Sequence, residues 1–233
     1  MSTRQNLIAQ PQAPLLLPDL PLADIDWDYF VQRRPLVLKT CDMPKYLLLP
    51  EIHQILDQAA DLERHFLFST LWHTGARISE ALLLRPDDFH LDDHYPSILL
   101  PALKRKGRPR QDPQKRPKPR LVPLRADTPY ITTARRYLGG LRSRHRPVFN
   151  VSRSTASRWL AQTVEQVNQG DSPLCIPTSL HTFRHSFAVN AILHFIPVPA
   201  LQGWLGHKRR ESTEVYTQIL SAETGHLIQR VSF

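Results

Sequence analysis

The sequence predicts a mainly α-helical domain of the α+β class, built around one small β-hairpin. Three observations predict it. Apolar residues recur at helical spacing in successive stretches from Pro50 to Leu220. Two short Ile/Leu/Val-rich runs, Ser97–Leu103 and Arg120–Leu124, read as strands joined by a long polar connection. No internal repeat is present, so the helices and the hairpin belong to one layered unit rather than a stacked array.

The elements follow in order. Residues 1–44 contain six prolines, Pro11, Pro14, Pro18, Pro21, Pro35 and Pro44, each fixing φ and removing a backbone donor. Residues 1–45 therefore read as an extended arm with one short turn around Asp24–Phe30, and residues 46–233 as the folded domain. Pro50 suits a first helical turn, and Ile52, Ile55, Leu56 and Ala59 then share one face. Leu62, Phe66, Ser69 and Trp72 give a second helix, which Gly75 can end in a left-handed conformation. A third starts near Ile78. Thr128 and Pro129 open a helix through Leu141, Ser154 another through Val167, and Leu180–Phe195 a third that stops before Pro197. Pro199–Leu205 and Thr213–Leu220 are shorter candidates.

The chain has 30 Lys and Arg against 21 Asp and Glu, a net charge of +9, which points to a polyanion: nucleic acid or an anionic membrane. Hydrophobic content of 41% is that of a folded protein. The N-terminus lacks the apolar run of a signal peptide and no stretch of about 18 apolar residues exists to span a membrane, so a soluble cytoplasmic protein is expected. Cys41 and Cys175 have no CxxC spacing, which excludes a disulfide framework and a zinc-finger pattern. Within 104–120, KRKGRPRQDPQKRPKPR, nine basic residues face one Asp, so this connection carries +8 of the total charge. Arg105, Lys106, Arg108, Arg110, Lys115, Arg116, Lys118 and Arg120 are its candidate contacts to a phosphate backbone, where counterion release would supply affinity. The bland alternative is a solvated charge run.

Cleaving a phosphodiester without a metal needs a nucleophile, cations for the developing negative charge, and an acid for the leaving oxygen. Four separated pieces offer these groups. Arg77 follows Gly75 and stands three residues from Glu80, a carboxylate able to orient it; Lys104 lies at the mouth of the hairpin. His181 and Arg184 share a helix face at i, i+3, and Leu205-Gly206-His207 precedes Thr213 and Tyr216. Each residue alone has a plainer reading: Tyr216, Trp159 and Trp204 are ordinary packing aromatics. His181 and His185 at i, i+4 lack the Glu of a zincin and enclose an arginine that would repel a metal ion, so no metal is expected. His185, His194, His73 and His226 read as structural or surface residues.

Taken together, Arg-Ile-Ser-Glu, Leu-His-Thr-Phe-Arg-His-Ser-Phe-Ala and Leu-Gly-His with Thr-Glu-Val-Tyr-Thr resemble, in order, the three signature boxes of the tyrosine recombinase (phage integrase) family. The resemblance implies that family's catalytic-domain fold and a DNA breakage and rejoining activity for integration, excision or multimer resolution. It implies that Arg77 and Arg184 hold the scissile phosphate and that Lys104, with Lys106 as the fallback, protonates the leaving oxygen. His181 becomes a base or proton relay, His207 a phosphate contact, Glu80 a supporting group, and Tyr216 the nucleophile of a 3′-phosphotyrosyl intermediate. No cofactor is required. The implied partners are double-stranded DNA and further copies of the chain in a tetramer, in a bacterial, plasmid or phage setting. Most of the family places a helical domain of about a hundred residues before the catalytic one, where periodicity here finds only about 45. An accessory DNA-binding protein could supply the missing grip, with Leu220–Phe233 as a docking tail. A regulator that binds DNA without cutting is the competing reading.

Overall fold

The computed structural model describes residues 25–92, 94–102 and 118–223. Residues 1–24 of the expected arm, Lys104 with Arg105, Lys106, Arg108, Arg110, Lys115 and Arg116 of the basic connection, and the tail beyond residue 223 lie outside the described residues. Within them the expected architecture is present: a helical domain with a small antiparallel sheet.

The helices are α1 (Trp27–Thr40), α2 (Leu49–Asp57), α3 (Leu62–Thr74), α4 (Ile78–Ala81), α5 (Pro129–Gly139), α6 (Arg153–Asn168), α7 (Leu180–Leu193), α8 (Val198–Leu205), α9 (Glu211–Glu214) and α10 (Gln218–Glu223), with Tyr216 on a 3-10 turn between the last two. The sheet runs in the order β1 (Phe89–His90), β2 (Ser97–Leu100), β3 (Arg120–Pro123). β2 and β3 form the expected hairpin, with Leu100 opposite Arg120 at its mouth. β1 was not expected, because two residues carry no alternation that a sequence pattern can reveal.

Two cores organise the domain. The first surrounds α3, whose Phe66, Leu67, Phe68 and Leu71 are fully buried. Phe66 lies amid the rings of Phe89, Tyr130, Tyr137 and Phe149, and Phe68 stacks on Phe183 of α7 at 5.8 Å. Burying each such ring contributes about 1.5–3 kcal/mol, which is why α3 needs no amphipathic pattern to be held as the central helix. The second core joins α1, α7, α8 and α10 through Phe30, Val189, Ile192, Leu201 and Ile219, and it also takes in Tyr216.

The extended reading of the arm is corrected for its described part. Trp27–Thr40 is a helix of 14 residues with Pro35 inside it. An interior proline costs about 3 kcal/mol, and packing offsets the cost. Phe30 and Val37 enter the cores, Asp26 caps the Tyr29 amide at 3.0 Å, and buried Arg34 forms an ion pair with buried Glu51 of α2. Glu51 also accepts the Leu48 amide at 2.8 Å, so one carboxylate caps the start of α2 and ties it to the middle of α1. Two smaller shifts follow from capping chemistry. The α6 cap is Ser152 rather than Ser154, its hydroxyl accepting the Thr155 amide at 3.0 Å. The expected helix over Thr213–Leu220 is broken into α9, the 3-10 turn and α10.

Candidate active site

The site is assembled where two helices end. α3 ends at Gly75 (φ 59°) and α8 at Gly206 (φ 65°), both left-handed caps. Glycine is needed at Gly75 twice over, since a Cβ there would collide with the ring of Phe187 on α7. Between these caps lies Arg184, 1% exposed. It donates from Nη1 to the Gly75 carbonyl at 2.7 Å and from Nη2 to the Leu205 carbonyl at 2.6 Å. Carbonyls at helix C-termini lack intrahelical donors and carry the negative end of the helix dipole, which is how a guanidinium can be buried there without a carboxylate on it. That compensation is incomplete: burial, then the charge of Arg77, pulls its pKa down to about 9. An anion placed beside it would reverse the shift.

The second cation is Arg77, at the start of α4. Glu80 accepts its backbone amide at 2.8 Å and its Nη1 at 3.0 Å. Buried Glu80 is also gripped by Arg120 of β3, with Nη1 at 3.0 Å and Nη2 at 2.6 Å. Burial alone would raise the Glu80 pKa, but the hydrogen bonds and charge of Arg120, then those of Arg77, hold it below the usual carboxylate value. Two guanidinium groups thus share one carboxylate, with Arg184 in its electrostatic reach, so three positive charges meet a single negative one. Such a cradle is matched to a phosphate whose charge grows in a transition state.

Histidines line the approach to the phenol. Tyr216 is 2% exposed, and its hydroxyl meets Nδ1 of His185 at 2.8 Å. Burial raises the Tyr216 pKa while the charges of Arg184 and Arg77 oppose the rise. Burial, then His181 and Arg184, pushes His185 down to about 4, so the ring is neutral near pH 7. His181 stands edge-on to His185 at 4.5 Å, and its own pKa is lowered by partial burial and then by Arg184, Arg77 and Arg153, although its outer edge reaches solvent. His207 follows Gly206, its Nδ1 2.8 Å from the Thr213 hydroxyl, and burial followed by Arg184, Arg77 and Arg120 brings it to about 4.

Arg77, Glu80, His181, Arg184, His207 and Tyr216 therefore converge, from four separated stretches of sequence. Lys104 lies outside the described residues. Lys118 is exposed at the described edge of the basic connection, whereas Arg120 turns inward to Glu80. Two residues of this cluster, His185 and Arg120, are not singled out by the sequence. His185 was set aside as structural; its i, i+4 spacing from His181 was a usable signal, since it puts both rings on one helix face. Arg120 was absorbed into the charge run, and nothing in its spacing separated it. Among the described residues, no group of three or more His, Cys, Asp or Glu could hold a metal ion, and no helix is long and apolar enough to cross a membrane.

A helical domain with a small sheet, carrying two arginines, histidines and a tyrosine in one positively charged cluster, has the make-up of a tyrosine recombinase catalytic domain. The Phage integrase family model matches residues 45–223, and the chain belongs to that family. It is 33% identical over 229 residues to a resolvase of Escherichia coli, covering 90% of this chain and 87% of that protein. Among solved structures, XerA recombinase superposes with a TM-score of 0.62 at 22% identity, covering 84% of this chain and 68% of that one. XerH site-specific recombinase bound to its difH substrate superposes with a TM-score of 0.57 at 20% identity, covering 78% of this chain. The chain spans about half (52%) of that XerH chain's length.

Proposed function

We propose that the chain is a site-specific recombinase that cleaves and rejoins double-stranded DNA, with Tyr216 as the nucleophile. The observation that carries this reading is the Tyr216 hydroxyl, bonded to a neutral histidine at 2.8 Å and lying within the field of Arg184 and Arg77. In the reaction the phenolic oxygen bonds to phosphorus as the bond from phosphorus to the 5′ oxygen breaks. The phenol's proton passes to His185, with His181 beside it as the relay. Arg77 and Arg184 take the non-bridging oxygens and His207 adds a further contact. Lys104 gives a proton to the departing 5′ oxygen, a role that rests on family resemblance. The products are a 3′-phosphotyrosyl bond and a free 5′-hydroxyl. Attack by a 5′-hydroxyl reverses every step, so rejoining needs no ATP and no metal.

The basic residues from Arg105 to Lys118 would follow the phosphate backbone, and assembly into a tetramer on two sites would be completed by DNA. Grip beyond the catalytic domain would come from that connection, from the arm, or from an accessory protein, in a bacterial cytoplasm. Integration, excision and multimer resolution all use this one chemistry.

The test is covalent trapping. A nicked suicide duplex, carrying a site that the protein itself selects from a random-sequence pool, should yield a stable protein–DNA adduct that EDTA does not prevent. Tyr216→Phe should abolish the adduct and leave DNA affinity unchanged. A selected site that binds tightly yet gives no adduct with the unmodified chain would mean a regulator that does not cut.

A further inference from the structure

We propose that Arg120 is a positioning residue for the cleavage reaction and not one of the cations that grip DNA. The proposal rests on the reading of Tyr216 as nucleophile. Arg120 opens β3, opposite Leu100, at the point where the basic connection returns to the sheet. Its sequence neighbours Lys118 and Pro119 are exposed, but its own side chain is only 15% exposed. All three guanidinium nitrogens are committed within the protein. Nη1 and Nη2 fork onto the Glu80 carboxylate at 3.0 and 2.6 Å, and Nε donates to the Trp204 carbonyl at 2.6 Å.

Two consequences follow from these bonds. Glu80 holds Arg77 by its backbone amide and by its guanidinium, so whatever fixes Glu80 also fixes Arg77. Trp204 immediately precedes Leu205, whose carbonyl receives Arg184, and lies three residues before His207. One side chain therefore ties the hairpin mouth to both turns that present the phosphate-binding cations. Electrostatics adds a second role. Glu80 has one negative charge to share, and Arg120 draws on it through two hydrogen bonds against one from the Arg77 side chain. Without Arg120, the carboxylate would be left to Arg77 alone and would compete with the phosphate for that guanidinium. Lysine cannot replace it, because a single nitrogen cannot span the fork and the Trp204 carbonyl together.

The experiment compares Arg120→Met and Arg120→Lys with the unmodified chain on the nicked suicide duplex, measuring DNA affinity, its salt dependence and the single-turnover cleavage rate. Both variants should cleave about 100-fold more slowly, as expected for a displaced phosphate ligand. Affinity and salt slope should not change. Glu80→Gln, introduced into the Arg120→Met chain, should recover part of the lost rate by removing the carboxylate that captures Arg77, an outcome that a purely structural role would not produce. If Arg120→Met instead weakens binding and lowers the salt slope by about one counterion, while Arg120→Lys behaves as the unmodified chain, Arg120 contacts DNA and the assignment is overturned. It is overturned equally by an Arg120→Met defect that Glu80→Gln leaves as it was, or by a Met variant too unstable to fold beside a Lys variant of normal rate. Absence of any adduct from the unmodified chain would remove the nucleophile reading and this assignment together, whereas normal cleavage by both variants removes this assignment alone.

Discussion

The two halves of the site are held in opposite ways. The cation half is over-determined: Arg184 is pinned by two helix-end carbonyls, and Glu80 is shared between Arg77 and Arg120. The nucleophile half is held by apolar packing and one polar contact, with Tyr216 on a 3-10 turn between two short helices and its hydroxyl bonded to His185. Tyr216 as a whole is only 2% exposed. The contrast lies in what holds each group: polar bonds to backbone carbonyls and a shared carboxylate fix the cations, whereas the proposed nucleophile is buried among apolar side chains on a short 3-10 turn. The hydrogen bonds of short 3-10 turns are poorer than those of an α-helix.

The contrast can be broken from the cradle side first. Arg184→Ala should lower the single-turnover cleavage rate by about 10²–10³-fold. It should also destabilise the fold, since each carbonyl it abandons costs about 1–3 kcal/mol when left buried and unsatisfied. Urea denaturation beside the cleavage assay separates the two effects, and a variant of normal stability and normal rate would deny the cradle its role. On the other side, His185→Phe removes the proposed proton acceptor while keeping a ring of similar size. Its cleavage rate should fall by about 100-fold. An unchanged rate would mean that the bond to His185 merely parks the phenol. A smaller effect concerns the helix that carries the cradle. His73 on α3 stacks on Tyr130 at 4.5 Å, and burial, then His53 and His65, depress its pKa to about 4. Because the unfolded chain takes up the proton more readily, stability is full above pH 6.5 and is lost as pH falls from there toward 4. The loss from this residue amounts to up to about 3 kcal/mol. Urea midpoints measured across that range should fall less in His73→Phe than in the unmodified chain, and parallel curves would assign the acid sensitivity elsewhere.

How far the sequence revealed this arrangement depended on the physics of each part. Helices with a local signature were legible: Pro50 opening α2, Gly75 closing α3, and the apolar repeat of α7 ending before Pro197. Helix α1 was not, because Pro35 inside it and the prolines around it argue against a helix, and its stabilising partners, Glu51 and the second core, lie outside its own sequence. The clustering of Arg77, His181, Arg184, His207 and Tyr216 was readable because the motifs fix those residue types. Their support was not readable. Arg184 bonds to backbone carbonyls, which every residue possesses, and so leaves no trace in side-chain composition. Arg120 sits in a run of basic residues where only its placement in β3 distinguishes it. His185 needed the position of Tyr216, 31 residues away, before its contact with the phenol could be seen.

The most direct measurement is to digest the trapped protein–DNA complex with nuclease and protease and locate the nucleotide-bearing peptide by mass spectrometry. The account predicts a phosphonucleotide on the peptide that contains Thr213-Glu214-Val215-Tyr216, attached at Tyr216 through a 3′ phosphate. Attachment at any other residue, or through a 5′ phosphate, would contradict it.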